Sequence, residues 1–275
     1  PKFTDVLAPS VDEGHVATIS FVVDDPSQLD VFSFTVDWRD GTTATIGGFG
    51  SADSSGDDGA THFEWDGTTR QLTLTHLYPD NAIYPVEIRM ADDDMAANFG
   101  GAEDPANFVL KVVPVTVNNV APMLGLPAVI AANEGAPVTL SGLGIKLTDF
   151  GFDNPNNQTA PPLGDQFHET FAASFIKWGD DSTNTFQTTP VDIINRVSGS
   201  LNVLTTADFM HAAHVYADNG TYTVTVRVAD DNMGAFNDHT LFETGVAGQD
   251  YVDLTFTITI NNVAPSVTVP NVIHV

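Results

Sequence analysis

Apolar and polar residues alternate with a period of two along much of this chain. Tyr222, Val224, Val226 and Val228 alternate with Thr223, Thr225 and Arg227, and Leu254, Phe256, Ile258 and Ile260 with Thr255, Thr257 and Thr259. Earlier in the chain Ala17, Ile19, Phe21 and Val23 share one parity, as do Phe32, Phe34, Val36 and Trp38, and Tyr84, Val86, Ile88 and Met90. Such alternation predicts strands with one face on a core and the other in water. Val, Thr, Phe and Ile dominate these runs, and Pro and Gly break the chain too often for helices. The fold class expected is all-β, with strands and turns arranged as β-sandwiches. Trp38 and Trp178 close strands and are expected to plug cores. Tyr222, after the turn Asp218-Asn219-Gly220, is expected to bury its ring and bond nearby backbone through its hydroxyl.

The pattern repeats. Val117-Asn118-Asn119-Val120-Ala121-Pro122 returns as Ile260-Asn261-Asn262-Val263-Ala264-Pro265. Pro1 stands as far ahead of Glu13-Gly14 as Pro122 stands ahead of Glu134-Gly135. This phase divides the chain into repeats at 1–121 and 122–264, with 265–275 as the first strand of a following repeat. Val120 to Ile130 reads as the opening strand of repeat two. A tandem array of this kind is a quasi-one-dimensional architecture, and the chain is expected to be cut from a longer one.

The most specific residues are Trp178-Gly179-Asp180-Asp181 followed by His214-Val215-Tyr216-Ala217-Asp218-Asn219-Gly220-Thr221-Tyr222-Thr223-Val224. The earlier copy is Trp38-Arg39-Asp40-Gly41 followed by His76-Leu77-Tyr78-Pro79-Asp80-Asn81. With the Val-Asn-Asn-Val-Ala-Pro junction, these motifs resemble the PKD domain as found in tandem in large secreted bacterial proteins. The resemblance implies two immunoglobulin-like (PKD-type) β-sandwiches in tandem, each with about seven strands in two sheets. It also implies spacing, binding or adhesion without catalysis. Arg39 and Asp181 depart from the motif by replacing glycines, and stretches 47–70, 151–170, 186–212 and 234–250 exceed a minimal domain.

Charge narrows the chemistry. The chain carries 9 Lys+Arg against 36 Asp+Glu, a formal net charge of −27 over 275 residues. That excludes the basic clusters that nucleic acid requires and disfavours anionic membrane surfaces. No run of 18 apolar residues suggests membrane insertion. With no cysteine, thiolate catalysis and Cys-ligated zinc are excluded. Loops rich in carboxylates suit calcium, which takes six to eight oxygens at about 2.3–2.6 Å. Candidate ligands are Asp24, Asp25, Asp30, Asp92, Asp93 and Asp94 in the first repeat, and Asp149, Asp153, Asp230, Asp231 and Asn232 in the second. Glu13, Glu134, Asn118 and Asn119 lie towards the junctions. The arrangement is similar to that of cadherins, where acidic loops and an Asn-containing linker hold calcium between domains. His76 and His214 hold equivalent positions and are expected to be strand-end hydrogen bonders rather than ligands. No nucleophile elbow, Walker loop or zincin motif is present.

Two functions follow as expectations. The first is a structural segment of an extracellular stalk, fibre, surface layer or adhesin, whose partners are neighbouring repeats and which can self-associate into fibres, with the strand at 265–275 as a possible donor. The second is an accessory module that binds polysaccharide or protein beside a secreted enzyme. For that reading Trp65, with Phe63, Phe236, Phe242 and Tyr251, is the candidate aromatic platform. Either reading puts the chain outside the cell or on its surface.

Overall fold

The computed structural model describes residues 1–8, 10–93, 108–154, 156, 171–181, 193–209, 213–230 and 251–267. Every regular element among them is a strand. The N-terminal half holds β1 (Lys2–Leu7), β2 (Val11–Asp12), β3 (His15–Asp24), β4 (Phe32–Asp37), β5 (Thr43–Phe49), β6 (Ser54–Asp58), β7 (Thr61–Asp66), β8 (Gln71–Tyr78), β9 (Ala82–Asp92) and β10 (Val109–Asn118). They form two five-stranded sheets, ordered β1-β3-β8-β7-β6 and β2-β10-β9-β4-β5. The inward parity of each strand is the one its alternation predicts. Ile19, Phe21, Phe34, Trp38, Leu72, Leu74, Tyr84 and Ile88 meet between the sheets in one core.

The opening segment switches sheets. β1 lies antiparallel to β3, and β2 then runs parallel to β10. The C-terminal half repeats this device with β11 (Met123–Leu124), antiparallel to β14 (Leu147–Asp149), and β12 (Ala131–Asn133), parallel to β20 (Tyr251–Asn261). The continuous strand expected over Val120 to Ile130 is therefore interrupted. Gly125 and Pro127 fall at the break, and the backbone amides of Ala128 and Val129 bond the Leu143 carbonyl instead of a ladder.

The remaining C-terminal strands are β13 (Pro137–Thr139), β15 (Phe171–Lys177), β16 (Ile193–Val197), β17 (Thr205–Phe209), β18 (Ala213–Val215) and β19 (Gly220–Asp230). Sheets β11-β14-β17-β16 and β12-β20-β19-β15 enclose a second core with the short β13-β18 pair. Where the N-terminal half has the single strand β3, the C-terminal half has β13 and β14, separated by a turn around Gly142 and Gly144. Gly144 has φ +77°, which a non-glycine residue adopts only under strain.

Stretch 47–70 is regular structure rather than an irregular insertion. β6 and β7 make a hairpin around Gly59 (φ +60°), and β7 extends the sheet alongside β8. Trp65 on β7 is 2% exposed, packs on Phe49 and Phe32 and donates its Nε1–H to the Gly50 carbonyl at 2.8 Å. The expectation of Trp65 as a surface platform is corrected: its parity on β7 points it into the core. Phe63 packs beside it on Phe49, Tyr251 lies under the Arg227 guanidinium at 3.7 Å, and Phe236 and Phe242 lie outside the described residues.

Candidate functional site

Each half carries the same aromatic and ionic lock where its central strands end. In the N-terminal half the His76 ring stacks on Trp38 with centroids 4.6 Å apart, and its Nε2 meets Asp40 Oδ2 at 2.7 Å. Tyr78 donates its hydroxyl to the Trp38 carbonyl at 3.1 Å and stacks on Tyr84, whose hydroxyl bonds the Asp80 carbonyl at 2.8 Å. In the C-terminal half His214 stacks on Trp178 at 5.1 Å and meets Asp180 Oδ2 at 2.7 Å. There Tyr216 bonds the Trp178 carbonyl at 2.9 Å, and Tyr222 bonds the Asp218 carbonyl at 3.0 Å. The strand-end role expected of the histidines and the bonding role expected of Tyr222 are both as read from sequence.

The motif departures are complementary. Position 39 is left-handed (φ +66°) and so is its counterpart Gly179 (φ +84°); Gly41 (φ +88°) and Asp181 (φ +55°) are the second such pair. Each half keeps glycine at one of two positions that favour it.

Burial raises the hydroxyl pKa of Tyr78, Tyr84 and Tyr216 far above the ordinary range, so all three act only as neutral donors. Burial also pushes the Asp40 carboxyl up, but the bond and charge of His76 and two bonds from Thr42 outweigh it, and Asp40 sits below its ordinary value.

A second duplicated lock ties the exit of each half to its entrance. Glu13 Oε1 accepts the Val120 amide at 2.7 Å, and Glu134 Oε1 accepts the Val263 amide at 2.8 Å. The Glu13 amide bonds the Asn118 carbonyl and the Glu134 amide the Asn261 carbonyl, each at 3.0 Å. Asn118 bonds Ser10 and Asp12 through its side chain. The two glutamates, read from sequence as calcium candidates with Asn118 and Asn119, each accept a linker amide: a carboxylate is the acceptor that an unpaired linker amide needs.

The halves meet along a seam. Asn154 donates its Nδ2 to the Asp40 carbonyl at 3.1 Å and lies 3.4 Å from Asp40 Oδ2. The Phe152 amide donates to the Pro79 carbonyl at 3.2 Å. Phe150 packs its ring 5.1 Å from that of His15, and its carbonyl approaches Gly14 so closely that a Cβ there would stand 2.3 Å from the oxygen. Linker residues Ala121 and Pro122 are buried. Beside the contact runs a cleft of about 480 Å³ lined by Gly14, His15, Phe150 and Leu201 among others. Sequence reading placed Asp149 and Asp153 in this loop and overlooked Asn154.

The acidic candidates separate into groups. Ligand oxygens of Asp25, Asp30 and Asp92 lie within 4.8 Å of one another, at the end of the N-terminal sheets remote from the seam. A bond to Ser27 lowers the Asp30 carboxyl, yet partial burial and the nearby Asp25 and Asp92 carboxylates outweigh it and raise Asp30 above its ordinary value. Burial pushes Asp25 up, but bonds from the Pro1 amino group and the Ser27 amide prevail and hold it low. Asp93 accepts the Val31 amide at 3.1 Å, and Asp24 pairs with Lys2 at 2.8 Å on the surface. At the seam Asp149 accepts the Gly151 amide at 2.8 Å, and Asp153 is paired with Arg196, whose Nη1 is at 2.8 Å. Asp94, Asp231, Asn232 and the side chain of Asp230 lie outside the described residues.

No family model matches the chain, and no curated protein matches it. Among solved structures, a marsupial T cell receptor is similar over 94% of this chain at 6% identity and a TM-score of 0.28. The chain spans 64% of the length of that receptor chain. At that level of likeness nothing is transferred from the receptor to this protein.

Proposed function

We propose that this chain is a non-catalytic spacer: two PKD-type, immunoglobulin-like β-sandwich modules, 1–121 and 122–264, forming a stiff segment of an extracellular stalk, fibre, surface layer or adhesin. The observation that carries the reading is the duplication of both locks in the same register, with the linker between them buried. A linker whose Val120 amide is bonded to Glu13 and whose Pro122 is buried has few conformations left, so one module holds the next at a fixed angle. The His–Asp pairs, the nearest approach to catalytic chemistry, support the same reading. His76 is 2% exposed beneath Trp38 and spends its bonds on the fold.

Calcium belongs to this proposal at Asp25, Asp30 and Asp92. Carboxylate oxygens within 4.8 Å of one another fit around one ion with oxygens about 2.4 Å from it, and the raised Asp30 carboxyl records the repulsion that an ion would relieve. Bound there, it would stiffen the end remote from the seam.

The spacer is tested with nitroxide labels. The chain has no cysteine, so Thr116→Cys and Thr259→Cys, both at exposed strand positions, take one label each. A single narrow distance distribution is expected, and a broad one would refute a stiff joint. For calcium, the expected result is a rise in the N-terminal melting temperature that Asp30→Asn and Asp92→Asn together abolish. A melting profile indifferent to calcium and chelator removes the ion from the proposal.

A further inference from the structure

The end of the C-terminal half presents the surface that the seam covers in the N-terminal half. Gly14 of the N-terminal half is pressed by Phe150; its counterpart Gly135 has the same left-handed backbone (φ +73° against +69°), and a Cβ there would meet nothing within 4 Å. Pro79 and Asp80 are buried; Ala217 and Asp218 are exposed. Asp40 and His76 are 1% and 2% exposed; Asp180 and His214, bonded at the same 2.7 Å, are 18% and 15% exposed. Ala121-Pro122 is buried, and the identical Ala264-Pro265 is exposed.

From this we infer that the face formed by Gly135, Asp180, Ala217 and the Ala264-Pro265 linker is a docking surface. Its occupant is the Phe150–Asn154 loop of another module of the same kind as 122–264. The inference deepens the spacer reading and rests on it. The chemistry of recognition is read from the occupied seam. Asn154 bonds the backbone carbonyl of the Asp in the Trp-x-Asp turn, so Asp180 takes the place of Asp40. Phe152 donates to the carbonyl after the lock tyrosine, which is that of Ala217 in place of Pro79. The Phe150 carbonyl needs a residue without Cβ, and Gly135 provides it. All three contacts are made to backbone or to the absence of a side chain, so the exchange of Pro79 for Ala217 leaves the bonding set intact. Ala136 in place of His15 removes one ring contact and no hydrogen bond.

The test is a chain extended after residue 264 by a second copy of 122–264. One sample carries labels at Thr116 and Thr259, reporting on the first joint. Another carries them at Thr259 and its counterpart in the added copy, reporting on the second. The expected result is two narrow distributions with the same mean distance. Asn154→Leu in the added copy alone broadens the second distribution and leaves the first. So does Ala217→Trp in the first copy, at an exposed position where substitution does not disturb that module's core. A broad second distribution beside a narrow first overturns the inference and leaves the spacer standing. A second distribution indifferent to Ala217→Trp and to Asn154→Leu also overturns it. If both joints are broad, the spacer reading falls as well.

Discussion

The two histidine locks are built from the same four residue types with the same 2.7 Å His–Asp contact, yet one is sealed and the other lies partly in water. The N-terminal lock is covered from two sides: the loop carrying Asn154 reaches Asp40, and the β6–β7 hairpin gives His76 Nδ1 the Ala60 carbonyl at 3.2 Å and Trp38 Nε1 the Thr61 hydroxyl at 2.7 Å. The lesson is that the lock belongs to the fold of each half, while its desolvation follows from what covers it, in the N-terminal half the β6–β7 hairpin together with the docked loop. A paired charge that is sealed from water is costly to break, since the survivor stays buried without its partner, whereas one with access to water is re-solvated.

The comparison is sharpened most by deleting each imidazole. His76→Ala is expected to destabilise the N-terminal half by about 3–5 kcal/mol, the cost of stranding a buried Asp40. His214→Ala is expected to cost the C-terminal half about 1–2 kcal/mol, because water reaches Asp180. The halves do not share one unfolding transition by default, so each is followed by its own tryptophan fluorescence in denaturant. Trp178 reports the C-terminal half, and Trp38 with Trp65, freed by Trp178→Phe, the N-terminal half. Equal losses in the two halves would break the argument that burial sets the cost of breaking the lock.

Acid addresses the same pair and is bounded by that first effect. Asp40 is held below its unfolded value of about 3.9. Its contribution is therefore fully present above that value and is lost as pH falls through the depressed folded value. Asp25 and Asp66 are also held low, Asp25 against the upward push of burial and Asp66 by bonds from Thr69 and Thr68. The Asp40 share is thus read as the difference between parent and Asp40→Asn. The N-terminal melting temperature of the parent should fall more steeply below about pH 4 than that of the variant. Parallel curves would mean that Asp40 contributes no pH-dependent stability.

Much of this fold was legible before any coordinates. The burial of Ile19, Phe21, Phe34, Val36, Tyr84 and Ile88 follows from period-two alternation, because a strand has no other way to place its apolar residues on one side. The locks were legible as motifs in register. What escaped was set by tertiary context. Trp65 sits in a stretch rich in Gly and Ser, and only the pairing of β7 with β8 turns its side chain inward. Glu13 and Glu134 look like any surface carboxylates until the chain returns, 107 and 129 residues later, to offer an amide. Asn154 gains its role from a half of the chain that its local sequence does not describe. Acidic loops do not declare their role in sequence for a general reason: a carboxylate that bonds backbone and one that binds a cation look alike there.

The glycines at the two ends give the next contrast. Gly14→Ala must move the Phe150 carbonyl as well as bear the strain of a left-handed backbone. It is expected to cost about 2–3 kcal/mol and to broaden the joint measured between labels at 116 and 259. Gly135→Ala bears the backbone strain alone, about 1 kcal/mol, and leaves the joint unchanged. If Gly135→Ala loosens the joint as much as Gly14→Ala does, the effect is transmitted through folding and the seam is not the site of contact.

The smallest effect distinguishes the two turns after the lock tryptophans. Arg39 holds φ +66° where its counterpart is Gly179. Arg39→Gly relieves a left-handed non-glycine residue, a gain of about 1 kcal/mol. It also removes the contacts of Arg39 with Asp37 and Glu87, which lie at a partly exposed surface and are worth at most about 1 kcal/mol together. The two nearly cancel, so the N-terminal half should shift by less than about 0.5 kcal/mol in denaturant. Salt discriminates between the terms, because screening weakens the ion pairs and leaves the backbone strain untouched. Arg39→Gly should therefore be slightly more stable than the parent at high salt and no better at low salt. The same preference at both ionic strengths would mean that the ion pairs contribute nothing and that strain alone separates the two turns.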